Sequence, residues 1–189
     1  MPPKAKFTKQ EIVDAALSLI RERGTDALTA RNLGQQLGSS SRPIFTLYQS
    51  MAQLQADVID AAYALYHDYI ARETATGLYP PYKASGMAYI RFAVEETSLF
   101  ELLFMRKRTQ EEIAVGICDP VIIERILQAN AITREQAEQL YLEMWICVHG
   151  IATMLATSYF TMEWDRISEI LTDTYQALRE KIQKKGGHA

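Results

Sequence analysis

The sequence predicts an all-α protein of about nine helices, and three observations carry that expectation. Apolar residues recur at i, i+3 and i+4 in one window after another, as in Ile12, Ala15, Ala16, Leu19 and Ile20. Capping signals open several windows, among them Thr8-Lys-Gln-Glu11, Ser50-Met-Ala-Gln53 and Thr133-Arg-Glu-Gln136, and glycines close others. No alternating strand pattern, low-complexity tract or fixed-period repeat interrupts the series. With 189 residues, 48% hydrophobic and 23% charged, the chain is long and apolar enough to bury a core rather than stay disordered.

The first helix runs from Thr8, whose hydroxyl and the Glu11 carboxylate satisfy otherwise unpaired backbone donors, to Gly24. Thr29 is the N-cap of a second, short helix on which Leu33 and Leu37 share a face, and Gly38 stands where a helix end needs tolerance of positive φ. A third begins at once, with Ser40 as N-cap and Pro43 in its first turn, where a missing N–H removes no intrahelical bond. Ile44, Leu47 and Tyr48 make its inward face. Leu54, Val58, Ala61, Ala62, Leu65 and Tyr69 carry a long fourth helix towards Gly77, and Leu78-Tyr-Pro-Pro-Tyr82 ends it, because proline disfavours helix in the residue before it.

Met87, Ile90, Phe92 and Val94 mark a helix from about Tyr82 to Glu96, and Ser98-Leu-Phe-Glu101 opens a short one bearing Leu102, Leu103 and Phe104. The charged segment 106–112 reads as a loop. Asp119-Pro120, an N-cap followed by an N1 proline, opens a helix through Ile123, Ile126 and Leu127. Thr133 caps a long helix with Leu140, Met144, Cys147, Val148, Ile151, Met154 and Leu155, apolar on more than one side, a pattern that normally needs partners on two faces. The last helix, from about Asp165, carries Ile167, Ile170, Leu171, Tyr175, Leu178 and Ile182 and ends in Lys184-Lys-Gly-Gly.

No apolar run approaches the roughly 18 residues of a membrane span, and the N-terminus lacks the apolar core of a signal peptide, so the expected location is the cytoplasm, with no membrane partner. Cys118 and Cys147 lie far apart, without a CxxC or a His at metal spacing, and read as free thiols. His67, His149 and His188 show no metal-binding or catalytic spacing, and no nucleophile elbow or phosphate-cradling glycine loop is present. The expectation is therefore a protein that is not an enzyme, with no catalytic residue, metal or cofactor.

The net charge of −3 is unevenly placed: residues 1–55 carry +3 and the remainder −6. That asymmetry is expected if only the N-terminal end meets phosphates. The second and third helices form a helix-turn-helix whose outward face holds Ser41, Arg42, Phe45, Thr46 and Gln49, small hydroxyls, a guanidinium, an aromatic and an amide suited to phosphates and base edges in a major groove. Any helical protein can contain two short helices broken by Gly-Ser. The supporting helix in front and the long helix behind favour the DNA-binding reading. Its candidate residues are Thr29, Arg31, Ser40, Ser41, Arg42, Phe45 and Thr46, with both arginines able to pair bidentately with guanine and Phe45 set against the backbone. Lys4, Lys6 and Lys9 precede them as a basic arm or a solvated tail.

In order and spacing, the first helix ending in Gly24, Ala27-Leu-Thr29, Leu33-Gly-Gln-Gln-Leu-Gly38, Ser40, Ile44-Phe45, Tyr48 and Leu54 resemble the TetR/AcrR family of bacterial transcriptional regulators. The resemblance implies a homodimer, two recognition helices on a palindromic double-stranded DNA operator, and a divergent C-terminal body that binds a small effector. It puts a DNA-binding domain at residues 1–52 and an effector-binding and dimerisation domain at 53–189. Two positions depart from the pattern: Leu47, where many members have an aromatic or His, and Met51, where many have a phosphate-contacting Lys. Trp145-Ile-Cys-Val-His149-Gly150 is similar to the Trp…His-Gly signature of one C-terminal subgroup.

In the body, the last two long helices carry more apolar surface than one core covers and are the expected dimer interface, paired with their symmetry mates as a four-helix bundle. The candidate lining of an effector pocket is Tyr89, Phe92, Phe104, Tyr141, Trp145 and His149, residues that read as core first and ligand-lining second. His149 shares a face with Trp145 one turn away, and core, interface and pocket roles stay open for it. The function expected is a ligand-responsive regulator, a repressor released from its operator by a small molecule. The alternative is a helical small-molecule-binding or catalytic protein whose helix-turn-helix no longer binds specific DNA, and salt-sensitive binding to random-sequence DNA separates the two.

Overall fold

The computed structural model describes residues 6–107 and 120–186, and among these are nine α-helices and no strand. The expectations for Lys4, for most of the charged loop up to Glu112, for Cys118, for Asp119 as an N-cap and for His188 lie outside the described residues. The chain divides into two compact units, Met1–His67 with Glu96–Arg106, and Asp68–Glu95 with Lys107–Ala189.

The first unit contains α1 (Lys9–Arg23), a 3-10 turn (Thr25–Ala27), α2 (Ala30–Gln36), α3 (Ile44–Leu47), the first part of α4 (Met51–Ala75), and α6 (Thr97–Phe100). The α1 capping box forms: Glu11 N–H donates to Thr8 Oγ1 at 3.2 Å and Thr8 N–H donates to Glu11 Oε2 at 2.7 Å. Those bonds from Thr8 hold the Glu11 carboxyl below its ordinary pKa. At the other end Gly24 takes φ +79° and its N–H donates to Ile20 O, which stops the helix. The inward face of α1, Ile12, Ala16, Leu19 and Ile20, is fully buried, as are Leu33, Ile44, Leu54, Val58, Leu99 and Phe100 elsewhere in the unit. Each of these side chains larger than alanine contributes about 1.5–3 kcal/mol by leaving water. Arg21 donates to both carboxylate oxygens of Glu96 at 2.7 and 2.9 Å, joining α1 to the start of α6. Beyond Phe100 the chain continues as a π-helical turn, Glu101–Met105, a feature that periodicity does not announce.

The second unit contains the end of α4, α5 (Pro81–Glu95), α7 (Pro120–Ala129), α8 (Arg134–Ala156) and α9 (Trp164–Gly186). Along α5, Ala84, Ser85, Met87, Ala88, Tyr89, Ile90, Phe92 and Ala93 are all buried, so this helix is covered on most of its circumference. It packs against α7, α8 and α9. Gly86 allows the close fit, since a Cβ there would stand 3.4 Å from the Val148 side chain and 3.6 Å from Leu171. Thr133 and Gln136 form the capping box of α8 as its sequence predicts. Glu73, one of two buried polar side chains among the described residues, accepts from Arg91 Nε at 3.2 Å, and that guanidinium lies 4.3 Å from the Trp164 ring centroid.

Candidate functional site

Thr29 caps α2 by accepting from Asn32 N–H at 3.2 Å, and Asn32 in turn donates through Nδ2 to Ala27 O at 2.9 Å. The helix ends in a tight turn in which Ser39 N–H returns to Gly34 O at 2.8 Å and Gly38 adopts φ +60°. Gly34 is required for that turn: a Cβ there would lie 2.9 Å from both Ser40 C and Ser41 N, backbone atoms that cannot step aside.

The third helix is shorter than the sequence predicts and starts later. Ser40 is not its N-cap; Pro43 occupies that position, without a side-chain cap. The Ser40 hydroxyl instead accepts from Arg42 N–H two residues on, at 3.4 Å, and this local turn competes with the first turn of a helix. Ile44 N–H then closes on Ser41 O at 3.1 Å and α3 amounts to one turn.

That single turn is held from beneath. Ile44 is fully buried and Tyr48 is 1% exposed. The Tyr48 hydroxyl donates to Asp57 Oδ2 on α4 at 2.9 Å, Lys9 Nζ of α1 sits 4.7 Å above its ring, and Lys9 also reaches Asp57 at 3.5 Å. Burial first and Asp57 second push the Tyr48 hydroxyl up to about 12, so it stays a donor. Above this anchor Thr29, Arg31, Ser40, Arg42, Phe45 and Thr46 are exposed, and Ser41 is half-buried. Phe45 has 48% of its surface in solvent. Thr46 donates to Pro43 O at 2.6 Å, leaving its hydroxyl oxygen as an acceptor. The face combines two guanidiniums, four hydroxyls and an exposed ring on a supported scaffold, which is chemistry for phosphates and base edges.

The second group of candidates is divided between the units. Tyr89 on α5 is hydrogen-bonded to His149 Nδ1 on α8 at 2.8 Å, and the imidazole stacks on Trp145 with ring centroids 4.8 Å apart and planes within 6°. Burial lowers the His149 pKa below its ordinary value, so the ring is neutral at pH 7. Phe92 is fully buried and meets Tyr69 edge-on at 5.4 Å. Tyr141 joins Tyr82 and Tyr175 in a phenol cluster in which burial, then Tyr141, then Tyr175 push the Tyr82 hydroxyl far up. Phe104 is in the other unit, on the π-helical turn, against Tyr63, Tyr66 and Phe100 at 6.1, 5.4 and 5.5 Å. The structure thus joins Tyr89, Trp145 and His149, places Tyr141 in a cluster with Tyr82 and Tyr175, and assigns Phe104 to the first unit.

Sequence reasoning missed the polar residues of this region: Ser85, Arg125 and Asn130. The available signal was the spacing of Tyr82, Ser85 and Tyr89 at i, i+3 and i+7 on α5, a row of polar groups among its buried apolar positions. Among the described residues there is no group of three or more His, Cys, Asp or Glu able to hold a metal. Nor is any helix among them long and apolar enough to cross a membrane.

Residues 82–178 match the family described as the C-terminal domain of tetracyclin repressor-like proteins. A stretch of 65 residues, 34% of the chain, is 32% identical to Tetracycline repressor protein class D of Escherichia coli and covers 30% of it. The chain thus spans about a third of the length of the curated relatives it matches. Among solved structures, a TetR-like transcriptional regulator from Rhodococcus sp. RHA1 superposes with a TM-score of 0.67 at 15% identity, over 93% of this chain and 97% of that one. MexZ, a repressor responsible for antibiotic resistance in Pseudomonas aeruginosa, gives 0.62 at 17% identity over 90% and 94%. At these identities the likeness is one of fold.

Proposed function

The chain belongs to the tetracycline repressor-like family, and from that premise we propose that it is a DNA-binding transcriptional repressor that leaves a palindromic operator when a small molecule occupies its larger unit. The observation that carries the reading is the outward face of α2 and α3, where Arg31 and Arg42 stand exposed above the buried Ile44 and Tyr48. In functional terms residues 1–52 bind DNA and residues 53–189 bind the effector and a second copy of the chain, in the cytoplasm. Selection from random-sequence duplex DNA at two salt concentrations tests this. A palindromic consensus with affinity that falls steeply as salt rises supports it, and no enrichment over bulk DNA overturns it.

The second copy would pair across α8 and α9. On α8, Leu142, Ile146, Gly150 and Met154 stand four residues apart in one row, and the three large ones are 40%, 59% and 37% exposed. A Cβ on Gly150 would meet nothing within 4 Å, so a partner helix has room to approach there. Isologous pairing would hold two recognition helices about 34–36 Å apart, matching successive major grooves. Ile146→Glu is expected to give a monomer in sedimentation at micromolar concentration, with operator affinity lost as a result.

The effector reading draws on Tyr89, Trp145, His149 and Tyr141, which offer stacking surface together with a few fixed polar groups. A ligand shifts the equilibrium only by its differential affinity for the two states, so an effector must bind more weakly in the presence of operator by the factor with which it weakens DNA binding. Equal affinities with and without operator would remove this part of the proposal.

A further inference from the structure

We propose that the ligand of the larger unit is a small organic acid that also carries a hydrogen-bond donor, and that Arg125 receives its carboxylate. The proposal rests on the effector-binding reading above and adds to it the chemical class of the ligand. Arg125 on α7 is half-buried, and its hydrogen bond is a long one, Nη1 donating to Ser85 Oγ at 3.4 Å. Among the described residues no carboxylate lies within ion-pair range of it. Other guanidiniums show what this fold provides when a charge is to be neutralised internally. Arg91 in the same unit has Glu73 at 3.2 Å, Glu95 at 3.7 Å and the Trp164 ring, and Arg134 has Glu124 and Glu138. Arg125 has five N–H donors in a planar fork and uses one of them, on a hydroxyl. A partly desolvated guanidinium without an anion is unfavourable unless a partner arrives from outside the chain.

The surroundings suit such a partner. Ser85 is 5% exposed and donates to Pro81 O at 3.0 Å, which fixes its oxygen. One turn before it on α5, the Tyr82 ring lies 5.9 Å from that of Tyr175, whose hydroxyl accepts from Asn130 Nδ2 at 2.7 Å. Asn130 Nδ2 also donates to Ile126 O at 2.8 Å, so both amide protons are committed and the other terminal atom must be the oxygen. That Oδ1 is buried without a partner. It is an acceptor in want of a donor, five residues along the chain from Arg125 and linked through Tyr175 to the Tyr82 ring. The nearby Tyr82 phenol remains protonated because burial disfavours its charged form, and the His149 imidazole is neutral, so these two groups present no negative charge to an entering carboxylate. A half-buried cation and an orphan acceptor five residues apart describe a molecule that carries both an acid and a hydroxyl or N–H.

The test uses the full chain, with calorimetry and thermal shift against 4-hydroxybenzoate and 6-hydroxyhexanoate, a rigid and a flexible hydroxy acid, and against the neutral 4-hydroxybenzamide. The acids are expected to bind and to raise Tm, and the amide to bind roughly 10- to 100-fold more weakly, the factor lost with a hydrogen bond to a charged group. Arg125→Met is expected to lose acid binding while the ligand-free Tm holds or rises, because an apolar side chain of similar length replaces an unpaired charge. Arg125→Lys, which keeps the charge but not the fork, is expected to retain part of the affinity. The proposal is overturned if neither acid binds, if the amide binds as tightly, or if Arg125→Met lowers the ligand-free Tm and leaves acid binding unchanged. Operator release by neutral or cationic compounds alone would sink this inference and leave the repressor reading standing. Acid binding through Arg125 without any specific DNA binding would do the reverse.

Discussion

In the unit built on α1, α2 and α3, the interior side chains are Ile12, Leu19, Ile20, Leu33 and Ile44, all fully buried, while Arg31, Arg42, Thr46 and Phe45 face solvent. In the unit built on α5 and α7–α9 several polar groups lie inside: Ser85 and Glu73 are buried, Tyr89 is 4% and Tyr141 8% exposed, and Asn130 Oδ1 lacks a partner. The difference follows from the size of what each unit is read to bind. Duplex DNA is larger than the protein unit and can only be met from outside, by exposed groups on a rigid support. A small molecule is enclosed, so the groups that recognise it must be buried, and the unit must tolerate hydrogen bonds left unmade in its absence.

The largest effect that separates the two units is expected from Ile44→Ala. It empties a fully buried position beneath the outward face and should cost about 2–5 kcal/mol, or about 2–4 °C of Tm per kcal/mol in a chain of this size. DNA binding should fail only as far as the fold does. Gly34→Ala comes next: its Cβ meets the Ser40 and Ser41 backbone at 2.9 Å, and overpacking of that kind costs about 1–3 kcal/mol. A Tm equal to that of the parent chain would show that the turn can open.

Arg42→Ala reverses the pattern. The side chain is exposed, so thermal stability should hold while affinity for the selected operator falls roughly tenfold or more; unchanged affinity in filter binding would remove Arg42 from the interface. The smallest effect belongs to the larger unit. Tyr89→Phe deletes the 2.8 Å bond to His149 and should cost about 1 kcal/mol. Because burial depresses the folded-state pKa of His149, its stabilisation is fully present above the ordinary histidine pKa and is lost as pH falls from there through the lowered value. Denaturant midpoints across that acid range should therefore slope in the parent and flatten in His149→Asn, which keeps an acceptor near Tyr89 but does not titrate.

The amino-acid sequence alone determined where most helices begin and end, and the reason is that capping is local. Thr8, Thr29 and Thr133 each accept from the N–H three residues on, and Gly24 and Gly38 stop helices through their own φ, so a window of about four residues contains the cause. The same locality misled at Ser40, whose residue type suits an N-cap but whose hydroxyl is taken by Arg42 N–H. Periodicity separated Ile44 and Tyr48 from Arg42 and Phe45, because one turn of helix has only one inward side. What only the tertiary structure decided was partnership. The grouping of 96–106 with the first unit and the meeting of Arg125 with Ser85 40 positions away depend on packing between elements distant in the chain. Nothing within one turn of Arg125 reveals that it will lack a carboxylate, since a charge's partner is chosen by the whole fold and not by its neighbours in sequence.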